Sequence, residues 1–241
     1  MYDLPEGQLS WLVRASADCL PSYANLRRWG KTLSDKCALC PFRETMHHAL
    51  NCCKTALEQK RFNYRHDSIL LHIVRQLQAN KPRKRIVAAL EGFRIAANVT
   101  IPPEVVVTAL KPDLVLIDEE TGDMEIFDLT SCADREHNIN EARVFKQRKY
   151  APLIADIKAT GRKAKFSPFE VCALGNIRAD SKKTLRSILG AKTARKTLQT
   201  LSKMAVSCSR YIFRQRREKQ WQPVGLFKCN IQSSEIQVGA G

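Results

Sequence analysis

No stretch of this 241-residue chain approaches the eighteen or so consecutive apolar residues that a membrane span requires, so no transmembrane helix is expected. The opening MYDLPEGQLSW lacks a basic stretch followed by an apolar run, which argues against a secretory leader and predicts an intracellular, soluble protein. Internal repeats are absent. Acidic residues are scarce: 24 Asp and Glu stand against 40 Lys and Arg, for a net charge of +16. What is plentiful is apolar content, 44% of residues, enough for a real core and too much for a wholly disordered chain.

The positive charge is unevenly placed. From Arg143 to Lys219 there are 21 lysines and arginines against only Asp156, Glu170, Asp180 and Glu218, whereas the first 142 residues are close to neutral. A basic half beside a neutral half suits a polyanion-binding surface, because each neutralised phosphate releases condensed counterions. Lys111, Arg143, Arg148, Arg162, Lys163 and Lys165 are the candidate nucleic-acid contacts.

Nine cysteines would suit a disulfide framework in a secreted protein, but their distribution argues otherwise. Cys19, Cys132, Cys172, Cys208 and Cys229 are scattered, while Cys37, Cys40, Cys52 and Cys53 cluster with His47 and His48. Cys37-x2-Cys40-x7-His48-x4-Cys53 lets three thiols and one imidazole converge on a single Zn2+. Such a closed set leaves no position for substrate, so the ion is expected to be structural and to help fold residues 37–58. His47 and Cys52 stand as alternatives to His48 and Cys53.

Periodicity predicts a short helical lead-in carrying Leu9, Leu12, Val13 and Leu20 and ended by Pro21. Residues 54 to about 98 read as two helices parted by Lys81-Pro82, with stripes Leu70, Ile73, Val74, Leu77 and Ile86, Leu90, Phe93, Ile95. From Ile101 the pattern turns extended, and strands are expected at Val105–Val107, Leu114–Ile117 and Met124–Thr130, the last two joined by the turn-like Glu120-Thr121-Gly122-Asp123. A helix from Glu136 to about Thr160 closes at Gly161, the basic loop Arg162–Lys165 follows, and then come a strand over Phe169–Leu174 and a helix from Ser181 to about Cys208. This order argues for a mixed α/β sandwich, with a basic tail from Arg210 that is expected to be disordered beyond about Gln222.

Lys111-Pro112-Asp113 opens one strand and Asp128 lies near the end of the next, 15 residues later across a hairpin. Adjacent strands can present both carboxylates at one end of a sheet, where hard oxygens bind Mg2+ or Mn2+ to activate water for attack on a phosphate. Alternation puts Met124, Ile126, Asp128 and Thr130 on one face of their strand and Glu125, Phe127 and Leu129 on the other. An acid on an apolar face must be paired or metal-bound. Two acids at this spacing followed by a lysine-rich helix resemble the PD-(D/E)xK nuclease pattern, which implies a restriction-endonuclease-like core of a mixed sheet flanked by helices. Thr130 stands where that pattern has its lysine. Lys146, Lys149 and Tyr150 share one face of the next helix and offer replacements, Lys146 first and Lys149 as its rival.

The chain as a whole resembles the C-terminal region of site-specific non-LTR retrotransposon proteins. The resemblance rests on Arg14-Ala15, Asp18 through Pro21 and Asn25-Leu26-x2-Trp29 ahead of the knuckle, and on Cys37-x2-Cys40, Glu44-Thr45-x2-His48-x-Leu50-x2-Cys53 and then Arg65-His66-Asp67. It continues through Lys111-Pro112-Asp113, Asp128, Lys146-x2-Lys149-Tyr150, Leu174-Gly175-Asn176-Ile177 and Ser207-x-Ser209. It implies a lead-in over residues 1–36, a CCHC zinc knuckle over 37–58, a helical connector over 59–100, a restriction-like endonuclease domain over 101–209 and a tail over 210–241. It further implies nicking of target DNA in the nucleus, leaving a 3′ hydroxyl that primes reverse transcription, with element RNA and the reverse transcriptase region of the same polyprotein as partners. No Tyr-x-Asp-Asp is present, so the polymerase itself is missing. The competing expectations are a catalytically inactive, zinc-stabilised nucleic-acid-binding remnant and, more distantly, a bacterial-type restriction or repair nuclease.

Overall fold

In the computed structural model, which describes residues 4–80, 84–88, 101, 105–118, 120–134, 136–223, 225 and 227, the chain begins with helices α1 (Glu6–Ser16) and α2 (Tyr23–Arg28). A single wide helical turn, His48–Cys52, leads into α3 (Lys54–Glu58) and the long α4 (Arg61–Asn80). Four strands and three helices follow: β1 (Lys84–Ala88), β2 (Leu114–Asp118), β3 (Met124–Thr130), α5 (Glu136–Ala159), β4 (Ala164–Glu170), α6 (Ala179–Leu189) and α7 (Ala191–Arg214).

The strands form one mixed sheet in the order β1-β2-β3-β4. β1 and β3 flank β2 antiparallel, with Ile86 opposite Leu116 and Leu114 opposite Phe127, whereas β4 runs parallel to β3 with Pro168 opposite Asp128. A parallel neighbour needs a crossover connection, and α5 supplies it. The β2–β3 turn is set by Asp118, whose Oδ1 accepts from Glu120 N and Thr121 N at 3.1 Å each, and by Gly122 at φ +71°, where a Cβ would be strained.

Both faces of the sheet are covered, so the strands are apolar on both sides and the layers are helix, sheet, helix. Leu114, Leu116, Phe127, Leu129 and Phe169 pack on Leu70, Ile73, Val74 and Leu77 of α4, with Leu185 of α6 and Leu201 of α7 beyond. Val115, Ile117, Met124 and Ile126 pack on Tyr150, Leu153 and Ile157 of α5, with Ile101 and Val105 beside them. The expected alternation along β3 is therefore observed. A third cluster joins Trp11 and Ala15 of α1 and Leu50 of the wide turn to Tyr64, Ile212 and Phe213, which docks the Cys/His region on the ends of α4 and α7.

Several sequence expectations are corrected. Lys84–Ala88 is a strand, although Ile86 fell in an apparent helical stripe; pairing with β2 outweighs that irregular period. The rest of that stripe, Leu90, Phe93 and Ile95, lies outside the described residues. Val105–Val107 forms no strand, because both edges of β2 are already taken by β1 and β3; Val105 is buried on the α5 side and Val107 is exposed. The fourth strand begins at Ala164, not Phe169, and takes Lys165 out of the expected loop. The last helix is two helices broken at Gly190, φ +78°, and the second runs to Arg214. The first part of the expected tail is ordered: Arg216 Nε is 3.1 Å from Glu44 Oε1, and Trp221 packs on Tyr64 and Tyr211. Most of the segment beyond Gln222 lies outside the described residues.

Candidate functional site

Two sites emerge, a thiol-imidazole cluster near the start of the chain and an acid-base cluster at one end of the sheet. In the first, Cys37, Cys40, His48 and Cys53 bring their ligand atoms within 4.8 Å of one another. Backbone bonding explains the convergence. Cys37 N donates to Phe42 O and Leu39 N to Cys37 Sγ, closing a tight loop, while Thr45 Oγ1 accepts from His48 N and starts the wide turn. That turn carries His48 and Cys53 back onto the loop.

The spacing fits one tetrahedral zinc ion. Zn–S and Zn–N bond lengths imply ligand separations of ~3.7 Å between sulfurs and ~3.5 Å from sulfur to nitrogen. Cys37 Sγ lies 3.9 Å from Cys53 Sγ, Cys53 Sγ 3.8 Å from Cys40 Sγ, and Cys40 Sγ 3.3 Å from His48 Nε2. Burial pushes the Cys53 thiol up to about 12, with its cysteine neighbours adding to the effect, and burial lowers the imidazole pKa of His48. Soft donors this close could hold a metal such as zinc, which would stabilise their thiolate forms. The fold separates the neighbours: His48 and Cys53 join the cluster, whereas His47 and Cys52 meet each other at 3.1 Å on the surface.

The second site forms where β2 begins and β3 ends. Leu114 pairs with Phe127, so Asp113 and Asp128 occupy the next pair of positions, side by side across the hairpin. Different elements hold their carboxylates. Asp128, only 2% exposed, faces α5, where its Oδ2 is paired with the Lys146 ammonium and its Oδ1 accepts from Tyr150 OH at 2.6 Å. Tyr150 OH also lies 3.2 Å from Lys111 O, and Lys149 Nζ reaches that hydroxyl at 3.3 Å without touching Asp128. Burial and then the hydrogen bond to Asp128 raise the Tyr150 pKa well above its ordinary value, so the phenol stays a donor.

Asp113 faces α4. Its Oδ2 accepts from Leu129 N at 2.7 Å and lies 3.2 Å from His66 Nε2. The same imidazole nitrogen is 3.2 Å from Leu129 O, and His66 Nδ1 is 2.8 Å from Asp67 Oδ1. Burial opposes a charge on His66, but hydrogen bonds to Asp113 and Asp67 outweigh it and raise its pKa to about 10. His66 is thus an imidazolium at neutral pH, and each acid has its own cation: His66 for Asp113 and Lys146 for Asp128.

The basic candidates divide. Lys146 and Tyr150 meet Asp128, and Lys111 contributes its main-chain oxygen beside them. Arg143 lies one turn before Lys146 but is drawn to fully buried Glu170, at 3.1 Å from Oε1, and to Asp180 at 3.5 Å. Arg148 is exposed on α5. Arg162 and Lys163 sit at the turn end of the sheet, where Met124 N donates to Lys163 O; the rise of β3 from Met124 to Asp128, roughly 13 Å, separates that end from Asp128. Lys165 is exposed one residue into β4. Thr130, where a lysine would follow Asp128 at two residues, is half-buried, and its hydroxyl oxygen has no partner among the described residues.

The sequence matches no protein-family model and no curated protein. None of the described helices is long and apolar enough to cross a membrane.

Two residues gain roles that spacing alone did not give them, His66 at Asp113 and Arg65 beside it. Arg65 is fully buried, with Nε donating to Ser131 Oγ (2.6 Å), Nη1 to Ser209 Oγ (2.9 Å), and Nη2 to Leu50 O (3.2 Å) and Asn51 Oδ1 (3.0 Å). One side chain thereby ties the metal-ligand turn, the end of β3 and α7 together. The Arg65-His66-Asp67 run was the available signal, but its contacts with Asp113, Ser131 and Ser209 lie far along the chain.

Proposed function

We propose that the chain is a metal-dependent DNA endonuclease with a PD-(D/E)xK core, the restriction-like endonuclease region of a non-LTR retrotransposon protein acting in the nucleus. The observation that carries the reading is the ion pair between Lys146 on α5 and Asp128 on β3, with Asp113 beside it. A lysine is thereby delivered to the second acid from the following helix, at the site where Thr130 supplies none.

The residues that would hold a divalent cation are Asp113 and Asp128, with the Leu129 carbonyl as a further hard oxygen; Asp113 Oδ1 meets no hydrogen-bond donor among the described residues. Mg2+ or Mn2+ held there would supply Lewis acidity for activating water and screening phosphate charge. Asp113 and Asp128 would hold that cation. Lys146 would steady the attacking water, and Tyr150, tied to the Lys111 carbonyl, holds Asp128 in register. The basic surface of α5 to α7 grips the DNA backbone, and element RNA and the reverse transcriptase region of the same polyprotein are the further partners. The zinc-binding turn, docked on α4 and α7, braces the fold beside this site.

Supercoiled plasmid incubated with the protein in MgCl2 is expected to become nicked circle with a 3′ hydroxyl that a polymerase extends, and Asp113→Ala is expected to abolish this. Equal trace nicking by both proteins would refute the enzyme. One observation favours a second reading: both oxygens of Asp128 are already engaged. Under that reading the chain is an inactive, zinc-braced nucleic-acid-binding remnant, which binds DNA with strong salt dependence and cuts none.

A further inference from the structure

The reading above gives Asp113 the task of holding a cation but does not say what aims its carboxylate. A carboxylate on a loop just ahead of a strand is free to rotate about two torsions, and catalytic groups need to be held within a fraction of an ångström of their working position. Asp113 is not free. One of its oxygens, Oδ2, is fixed from two directions, by the amide of Leu129 at 2.7 Å and by the imidazole of His66 at 3.2 Å. Among the described residues its other oxygen, Oδ1, meets no donor.

His66 is itself fixed. Its ring is only 22% exposed, and Asp67 Oδ1 takes Nδ1 at 2.8 Å, which sets the orientation of the ring. The opposite nitrogen then points at two acceptors at once, Asp113 Oδ2 and Leu129 O, both at 3.2 Å. The chain Asp67, His66, Asp113 runs from α4 to the hairpin, across the gap between helix and sheet. It has the form of the outer-sphere support that orients ligands in metal sites: an acid orients an imidazole, and the imidazole orients the liganding carboxylate. Arg65, one residue earlier, anchors this stretch of α4 to Ser131 and Ser209, so the imidazole projects from a braced helix.

We propose that His66 is the positioning residue for Asp113, holding Oδ2 so that Oδ1 is presented to the divalent cation. The proposal rests on the nuclease reading, but its central step, orienting a cation ligand, is measurable without DNA. His66 makes no claim on the phosphate or the attacking water. Its loss acts through Asp113 and weakens both cation binding and cleavage. A side chain that keeps an N–H at the Nε2 position, as glutamine does, restores most of both.

The test uses the full chain with zinc retained in its Cys/His cluster. Mn2+ binding is followed by the loss of its free-ion EPR signal, and nicking of supercoiled plasmid is followed over a MnCl2 series, for wild type, Asp113→Ala, His66→Ala and His66→Gln. One Mn2+ site is expected in wild type and none in Asp113→Ala. His66→Ala is expected to bind Mn2+ about 10-fold more weakly and to nick at least 10-fold more slowly at saturating Mn2+. His66→Gln is expected to return to within about 3-fold of wild type in both. Thermal unfolding of each variant identifies any loss that is merely failure to fold, and in that case the Gln variant alone decides. If His66→Ala binds Mn2+ more tightly and cuts as fast, the imidazole competes with the cation and the proposal is overturned. It is also overturned if His66→Gln is as impaired as His66→Ala. If wild type nicks nothing but still shows the Mn2+ site with the predicted His66 dependence, the nuclease reading fails and the positioning role stands. If wild type binds no Mn2+, both fall.

Discussion

Lys146 pairs its ammonium with Asp128 Oδ2 across from β3, while Tyr150, one turn along the same helix, donates to Asp128 Oδ1 at 2.6 Å. Two side chains four apart on α5 therefore grip both oxygens of a buried acid. Lys149 shares the helix but, among the described residues, its ammonium meets the hydroxyl and ring of Tyr150 and not Asp128.

Replacing Lys146 with methionine keeps most of its volume and removes its charge. The expected result is a loss of ~10²–10⁴ in single-turnover nicking, the range for a positioned acid-base group. Lys149→Met is expected to fall by less than a tenth of that factor. Comparable losses in both variants would mean that the lysines act together as backbone contacts.

Much of this site was legible beforehand for a definite reason. Asp113 and Asp128 flank a hairpin whose turn residues are explicit, so their adjacency follows from strand geometry, and the Lys146–Tyr150 spacing puts both on one helical face; that separate partners hold the two carboxylates was not legible. The candidate metal ligands were legible as a set but not individually. Adjacent histidines and adjacent cysteines look alike in sequence, and only the wide turn at His48–Cys52 turns one of each inward. The role of His66 was not legible, because its partner Asp113 is 47 residues away and the contact depends on how α4 packs on the sheet. Lys84–Ala88 misled for a related reason: strand identity there comes from the neighbouring strand, not from local period.

The choice between ligands is testable by substitution. His48→Ala and Cys53→Ser are expected to lower zinc content below one equivalent and to depress the melting temperature, whereas His47→Ala and Cys52→Ser are expected to retain the ion. Elemental analysis of the purified variants checks this, and retention by His48→Ala would reassign the site.

Arg65→Met should destabilise the fold. The substitution leaves the Leu50 carbonyl, Asn51, Ser131 and Ser209 without their buried donor, and an unsatisfied buried group costs about 1–3 kcal/mol. Some relaxation is expected, so the loss in urea unfolding should be about 2–4 kcal/mol. A change under about 0.5 kcal/mol would show that the buried guanidinium does not hold these segments together.

His66 also makes stability depend on pH. Its folded pKa is raised from 6.5 to about 10, so its contribution is fully present below about pH 6.5 and is lost as pH rises toward 10. The stability gap between wild type and His66→Gln should therefore narrow steadily between those limits. A gap that widens with pH would mean that the imidazole is neutral in the fold.

The account depends most on Asp113 and Asp128 sharing one divalent ion beside the Lys146–Asp128 pair. Anomalous diffraction from crystals grown with MnCl2 reads this directly. The expected result is a manganese peak about 2.2 Å from a carboxylate oxygen of each aspartate, close to the distances hard cations keep to oxygen. A peak on Asp113 alone, or no peak at this end of the sheet, would contradict it.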